Sequence, residues 1–167
     1  MSSSSIDDSG PVGIGGWLLL PFLGLLVSLG ITGLSLYSDV LPALGSDIWP
    51  VLTTPGSAVY HASWGPYLIA ALVVNVVVIL AALTLLFLGF GKRKVFPLGM
   101  IGFYVLCAIA MSLDVWAAEG FLAEAMPAEA AEMKPEAWRD FVRTITTGLL
   151  WSAYFLVSKR VKNTFVR

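Results

Sequence analysis

The chain is poor in the residues that most enzymes and metalloproteins rely on. It has one cysteine, Cys107, and one histidine, His61, among 167 residues. A single cysteine excludes an internal disulfide and a cysteine-rich metal site. A lone histidine without a second soft ligand is a poor metal site, so no metal is expected. Charge is scarce as well, since Asp, Glu, Lys and Arg make up 13% of the residues, against about 25% in a typical soluble domain. The net charge of −1 supplies no basic face to neutralise phosphates, which excludes nucleic acid as an expected partner. No glycine-rich phosphate loop follows a strand pattern, no nucleophile elbow occurs, and no histidine and carboxylate set completes a triad. Gly13, Gly15 and Gly16 open an apolar segment, not a nucleotide-binding unit. No catalytic residue and no cofactor is therefore expected, and the chain does not read as an enzyme.

What is abundant is hydrophobicity. Apolar residues make up 57% of the chain, against about 45 to 50% in soluble domains. Crossing a hydrocarbon core takes about 20 mostly apolar helical residues, and four segments approach that length, over about 14–37, 67–90, 95–116 and 138–160. The second is rich in Val and Ile, but an open strand in lipid would leave backbone groups unpaired, so it reads as helix. The fourth is the weakest, because it reaches a full span only if Arg143, Lys159 and Arg160 snorkel toward the interfaces. The first has no basic residue before it and no small-residue cleavage site, so it is expected to be retained as an anchor.

The fold expected is all-α: a polytopic four-helix membrane bundle over 14–161, with a tail over 1–13 expected to be disordered and cytoplasmic, and a basic tail over 162–167. Lys92, Arg93 and Lys94 between spans two and three, and Lys159, Arg160, Lys162 and Arg167 after span four, fall on one side. The positive-inside rule then places both termini in the cytoplasm. The first outer loop, about 38–66, carries Pro42, Pro50, Pro55 and Pro66 with Trp49, Tyr60, His61 and Trp64. At that density proline blocks a regular helix, so the loop is expected either to rest its aromatics at the interface or to form a cap or partner surface. The second, 117–134, can bring Phe121, Leu122, Ala125 and Met126 to one face, and reads as a short amphipathic helix along the outer membrane surface. Pro127 is expected to break it, and Pro135 with Glu136 to start the fourth helix.

Polar groups inside the spans are the candidate sites. Asp114 near the outer end of span three and Arg143 near the outer end of span four can meet as an intramembrane ion pair, structural or serving proton or substrate passage. Asn75 in span two is expected to bond across to another helix. Gly24, Ser28 and Thr32 form a small-residue packing stripe, used within the chain or between protomers. Pro21 is expected to kink its helix, and Cys107 reads as a packing residue. On the cytoplasmic side Lys159, Arg160 and Lys162 would meet lipid headgroups or a partner, with Phe165 dipping into the interface.

Gly15, Gly16, Trp17, Leu18 and Pro21 at one end, and Tyr154, Phe155 and the run Ser158, Lys159, Arg160, Val161, Lys162, Asn163, Thr164, Phe165 at the other, resemble the YdgK-like bacterial inner-membrane proteins, a family of unknown function. Tyr60, His61, Trp64, the Lys92 to Lys94 turn with Phe96 and Pro97, Asp114 and Arg143 also look like the family pattern. The resemblance covers nearly the whole chain and implies a multi-pass, four-helix domain in a bacterial inner membrane. It brings no activity, and 66–74, where some relatives are expected to carry an acidic residue, has none. The expected role is an accessory, assembly or scaffold subunit in a membrane protein complex. The alternative is a small oligomeric transporter or channel using Asn75 and the Asp114 and Arg143 pair. The expected partners are the lipid bilayer and a larger membrane complex or further copies of the chain.

Overall fold

The computed structural model describes residues 12–45 and 47–166, and every regular element among them is a helix. A 3-10 turn at Gly16–Leu18 leads into α1 (Leu19–Ser35), and a wide five-residue turn at Leu36–Val40 leads into α2 (Leu41–Gly45). Then come α3 (Ile48–Thr53), α4 (Trp64–Phe90), α5 (Phe96–Glu119), α6 (Phe121–Ala125), α7 (Pro127–Val157) and α8 (Lys159–Thr164). The tail expected over 1–13 lies almost wholly outside the described residues, as does Arg167.

Proline placement explains most helix starts. Pro21, Pro42, Pro50, Pro66, Pro97 and Pro127 all stand in the first turn of a helix, where the missing N–H has no intrahelical acceptor to lose. This corrects two expectations. Pro21 opens α1 instead of kinking its interior, and the proline-rich outer loop holds the short helices α2 and α3. The first apolar helix also runs further than expected, over Gly16–Gly45. The Leu41 amide donates to the Leu36 carbonyl five residues back, a widened turn that admits Pro42 without ending the helix.

Three stretches, Gly16–Gly45, Trp64–Phe90 and Phe96–Ala125, are long and apolar enough to cross a membrane. α7 falls short of that standard although it has 31 residues, because only its last 14 or so, about 21 Å of helix, are uncharged. It starts at Pro127, not at Pro135, which lies in its interior.

The long helices pack on their sequence neighbours, α1 on α4, α4 on α5, and α5 most extensively on α7. Two apolar clusters close the ends of this assembly. One gathers Leu18, Phe22, Leu25, Phe96, Met100, Phe155, Val161 and Phe165, and the other Leu52, Trp64, Leu68, Ala117, Phe121, Leu122 and Ala130. Phe121 and Leu122 of α6 are thus buried against the helices, and do not face a membrane surface as the amphipathic reading expected.

Candidate functional site

The end formed by α3, α6 and the starts of α4 and α7 is built around aromatic rings. Phe121 meets Trp64 at 5.1 Å, Tyr67 at 5.4 Å, Trp116 at 5.9 Å and the His61 imidazole at 5.4 Å. His61 accepts the Ser63 amide at Nδ1 over 3.1 Å and turns Nε2 toward the Glu124 carboxylate at 3.6 Å. Trp64 is buried and donates its indole N–H to the Val59 carbonyl at 3.0 Å. Trp49, Thr53, Tyr60, His61, Ala62 and Gly65 line a shallow cleft of about 220 Å³. Of the outer aromatics expected to offer a surface, Trp49, Tyr60 and His61 border this cleft, while Trp64 belongs to the core beneath it. No cluster of three or more His, Cys, Asp or Glu suited to a metal occurs among the described residues.

Asp114 does not meet Arg143. Its carboxylate accepts from the Tyr67 hydroxyl at 3.2 Å, and Arg143 forms no ion pair within 4.0 Å among the described residues. The reason is rotational and axial. α5 and α7 run antiparallel in one register: Glu119 takes Lys134 at 3.1 Å and the Trp138 indole at 3.0 Å, Gly148 lies against Tyr104, and Phe96 meets Phe155 at 5.9 Å. With Gly148 opposite Tyr104, Arg143 stands level with Ile109, about 7.5 Å from Asp114 toward the start of α5. Five residues of helix also turn Arg143 about 140° from the face that Gly148 presents. The side chain is exposed.

Asn75 likewise bonds within its own helix, not across to another. Its amide donates to the Ala71 carbonyl one turn back at 2.8 Å, which satisfies a donor in apolar surroundings without a second helix. Gly24 of the small-residue stripe is exposed, and a Cβ there would touch nothing within 4 Å. α1 packs instead through Leu18, Phe22, Leu25 and Leu29, so the stripe is not the packing face at Gly24.

At the opposite end the chain closes on itself. Phe165 is 5% exposed and stacks on Phe96 at 4.5 Å, so it packs into the bundle and does not dip outward. Phe96 stacks in turn on Phe22 at 5.1 Å. Thr164 is 1% exposed; its hydroxyl accepts the Gly13 amide at 3.0 Å and donates to the Gly13 carbonyl at 3.4 Å. The Arg160 guanidinium lies over Gly15 and Gly16, where a Cβ on Gly15 would come within 3.1 Å of it. α8 is capped by Ser158, whose hydroxyl accepts the Val161 amide at 3.4 Å. The two terminal motifs that carry the family resemblance therefore form one clasp. Lys92, Arg93 and Lys94 share this end with Lys159, Arg160 and Lys162.

Reading the spans by depth alone missed one feature. Glu129, Glu132, Glu136, Arg139, Arg143, Thr146, Thr147 and Leu150 recur every three or four residues along α7 and are all exposed, so they form one outward stripe. The helical period alone carried that signal.

No curated protein and no solved structure matches the chain. A family described as a protein of unknown function, DUF2569, matches residues 11–166. The match includes both terminal motifs and the polar positions between them, and supports the expected resemblance at the level of a family without an assigned activity. The chain belongs to the DUF2569 family.

Proposed function

We propose that the protein is a four-helix membrane subunit, not an enzyme, that acts by packing against another membrane protein as an accessory, assembly or scaffold component. One observation carries this reading: both ends of the helix assembly are filled by aromatic side chains, while the unpaired polar groups of α7 face outward. A conduit would need the reverse arrangement, with polar groups lining the interior. α7 is taken as the fourth crossing because it packs along α5, a helix apolar enough to span. The six basic residues gathered at the clasp favour a cytoplasmic position for that end, and hence for the C-terminus and the segment leading into α1, in a bacterial inner membrane.

Purification in mild detergent followed by mass spectrometry of co-purifying membrane proteins tests the reading. A reproducible stoichiometric partner is expected. A homogeneous lone species, under conditions that keep known membrane complexes intact, would overturn it. The transport alternative rests on Asp114 with Tyr67, a carboxylate and a phenol at the junction of α4 and α5. It predicts substrate flux in proteoliposomes that Asp114→Asn abolishes.

A further inference from the structure

We infer that the outward stripe of α7 at Arg143 and Thr147 is the docking face for a membrane-spanning helix of a different protein, one that carries a carboxylate near mid-membrane. The inference rests on the accessory-subunit reading and specifies its partner. Arg143 stands level with Ile109, near the middle of α5, and an apolar helix of that length places its middle in the hydrocarbon. Arg139, one turn outward, has Glu136 at 3.6 Å and Asp140 at 4.0 Å. Arg143 has no carboxylate within that range among the described residues. Thr146 donates its hydroxyl to the Val142 carbonyl at 2.8 Å, whereas the Thr147 hydroxyl, one turn from Arg143 on the same face, has no partner among the described residues. An ammonium or guanidinium at that depth pairs with an opposite charge or draws water inward, and Asp114 lies on another face. Charge complementarity therefore selects a carboxylate supplied from outside the chain.

A two-fold pair of copies meeting at this stripe does not supply it. Two copies inserted with the same orientation and related by a two-fold axis normal to the membrane meet through like rows. Arg143 would then face Arg143, and Glu136 would face Glu136, which is repulsive.

Photo-crosslinking in native membranes tests the inference, with a benzoylphenylalanine in place of Leu150 on the stripe and, separately, in place of Leu26 on α1. The Leu150 probe is expected to capture a membrane-spanning peptide of another protein with Asp or Glu within a helical turn of the level of Arg143. Arg143→Glu should lower that yield at least about tenfold, Arg143→Lys should largely keep it, and reversing the charge of the partner's carboxylate should restore it in Arg143→Glu. Arg143→Leu, which removes a charge from lipid, controls for folding through its detergent unfolding midpoint. Capture of this chain itself, of phospholipid only, or of a peptide without an acidic residue would overturn the inference. Protein captured at Leu26 but not at Leu150 would leave the accessory reading standing and sink this one. No protein capture at either position would sink both.

Discussion

Gly89→Ala tests how tightly the clasp end is packed. A methyl at this buried position of α4 would lie 2.6 and 2.7 Å from two atoms of the Phe22 ring and 2.8 Å from the Phe96 ring. Carbon atoms rest about 3.5 to 4.0 Å apart, so both rings must retreat by about 1 Å. Neither has free room, because Phe22 stacks on Phe96 and Phe96 on Phe165. Overpacking of this kind costs about 1 to 3 kcal/mol. Replacing helical glycine by alanine returns up to about 1 kcal/mol, and less this close to a helix end. The net expectation is a loss of about 1 to 2 kcal/mol, a factor of roughly 5 to 30 in the unfolding equilibrium. Gly102→Ala is the matched control, since a methyl there meets nothing within 4 Å. Reversible unfolding in mixed micelles should place the Gly89→Ala midpoint below wild type and the Gly102→Ala midpoint at or above it. Phe22→Leu added to Gly89→Ala should recover part of the loss. Equal midpoints for the two alanine variants would refute the packing argument.

Three further outcomes are expected. Phe165→Ala removes a buried ring stacked at 4.5 Å and should destabilise the protein by about 3 kcal/mol, with faster amide exchange at Gly13 as the clasp opens; unchanged exchange there would separate Phe165 from the clasp. A double-mutant cycle of Tyr67→Phe and Asp114→Asn should give a coupling of about 0.5 kcal/mol or more, while the same cycle with Asp114→Asn and Arg143→Gln should give none; the opposite pattern would restore the ion pair. Lys92 ends α4 with φ 51, its neighbour Arg93 donating back to the Leu88 carbonyl at 3.0 Å, a left-handed cap that favours glycine. Lys92→Gly should therefore stabilise by up to about 1 kcal/mol, and a lower unfolding midpoint would contradict that backbone conformation.

Hydrophobic run length located α1, α4 and α5 well, because lipid-length apolar segments have few alternatives to helix. Boundaries were harder wherever proline was read as a breaker. Pro42 and Pro50 break nothing, since each sits where its missing N–H has no partner to lose, whereas the chain does break before Pro127, with α6 ending at Ala125 and α7 starting at Pro127 after a non-helical Met126. The ion pair failed for a different reason: depth was judged from span ends, and the rotation of Arg143 away from α5 was left out. Tyr67 was available as the partner of Asp114 from depth alone, near the start of one span and the end of the next. The clasp could not be read locally, because Thr164 and Gly13 are 151 positions apart.

The central claim is that α7 completes a fourth crossing and brings the clasp to the same side as the Lys92 to Lys94 turn. Membrane-impermeant maleimide labelling of single cysteines, placed at Arg93, Lys162, Ser57 and Glu132 in a Cys107→Ala background, tests it most directly. Arg93→Cys and Lys162→Cys should label from the cytoplasmic face only, and Ser57→Cys and Glu132→Cys from the opposite face only. Labelling of Lys162→Cys and Glu132→Cys from the same face would contradict the fourth crossing, and with it the membrane depth assigned to Arg143.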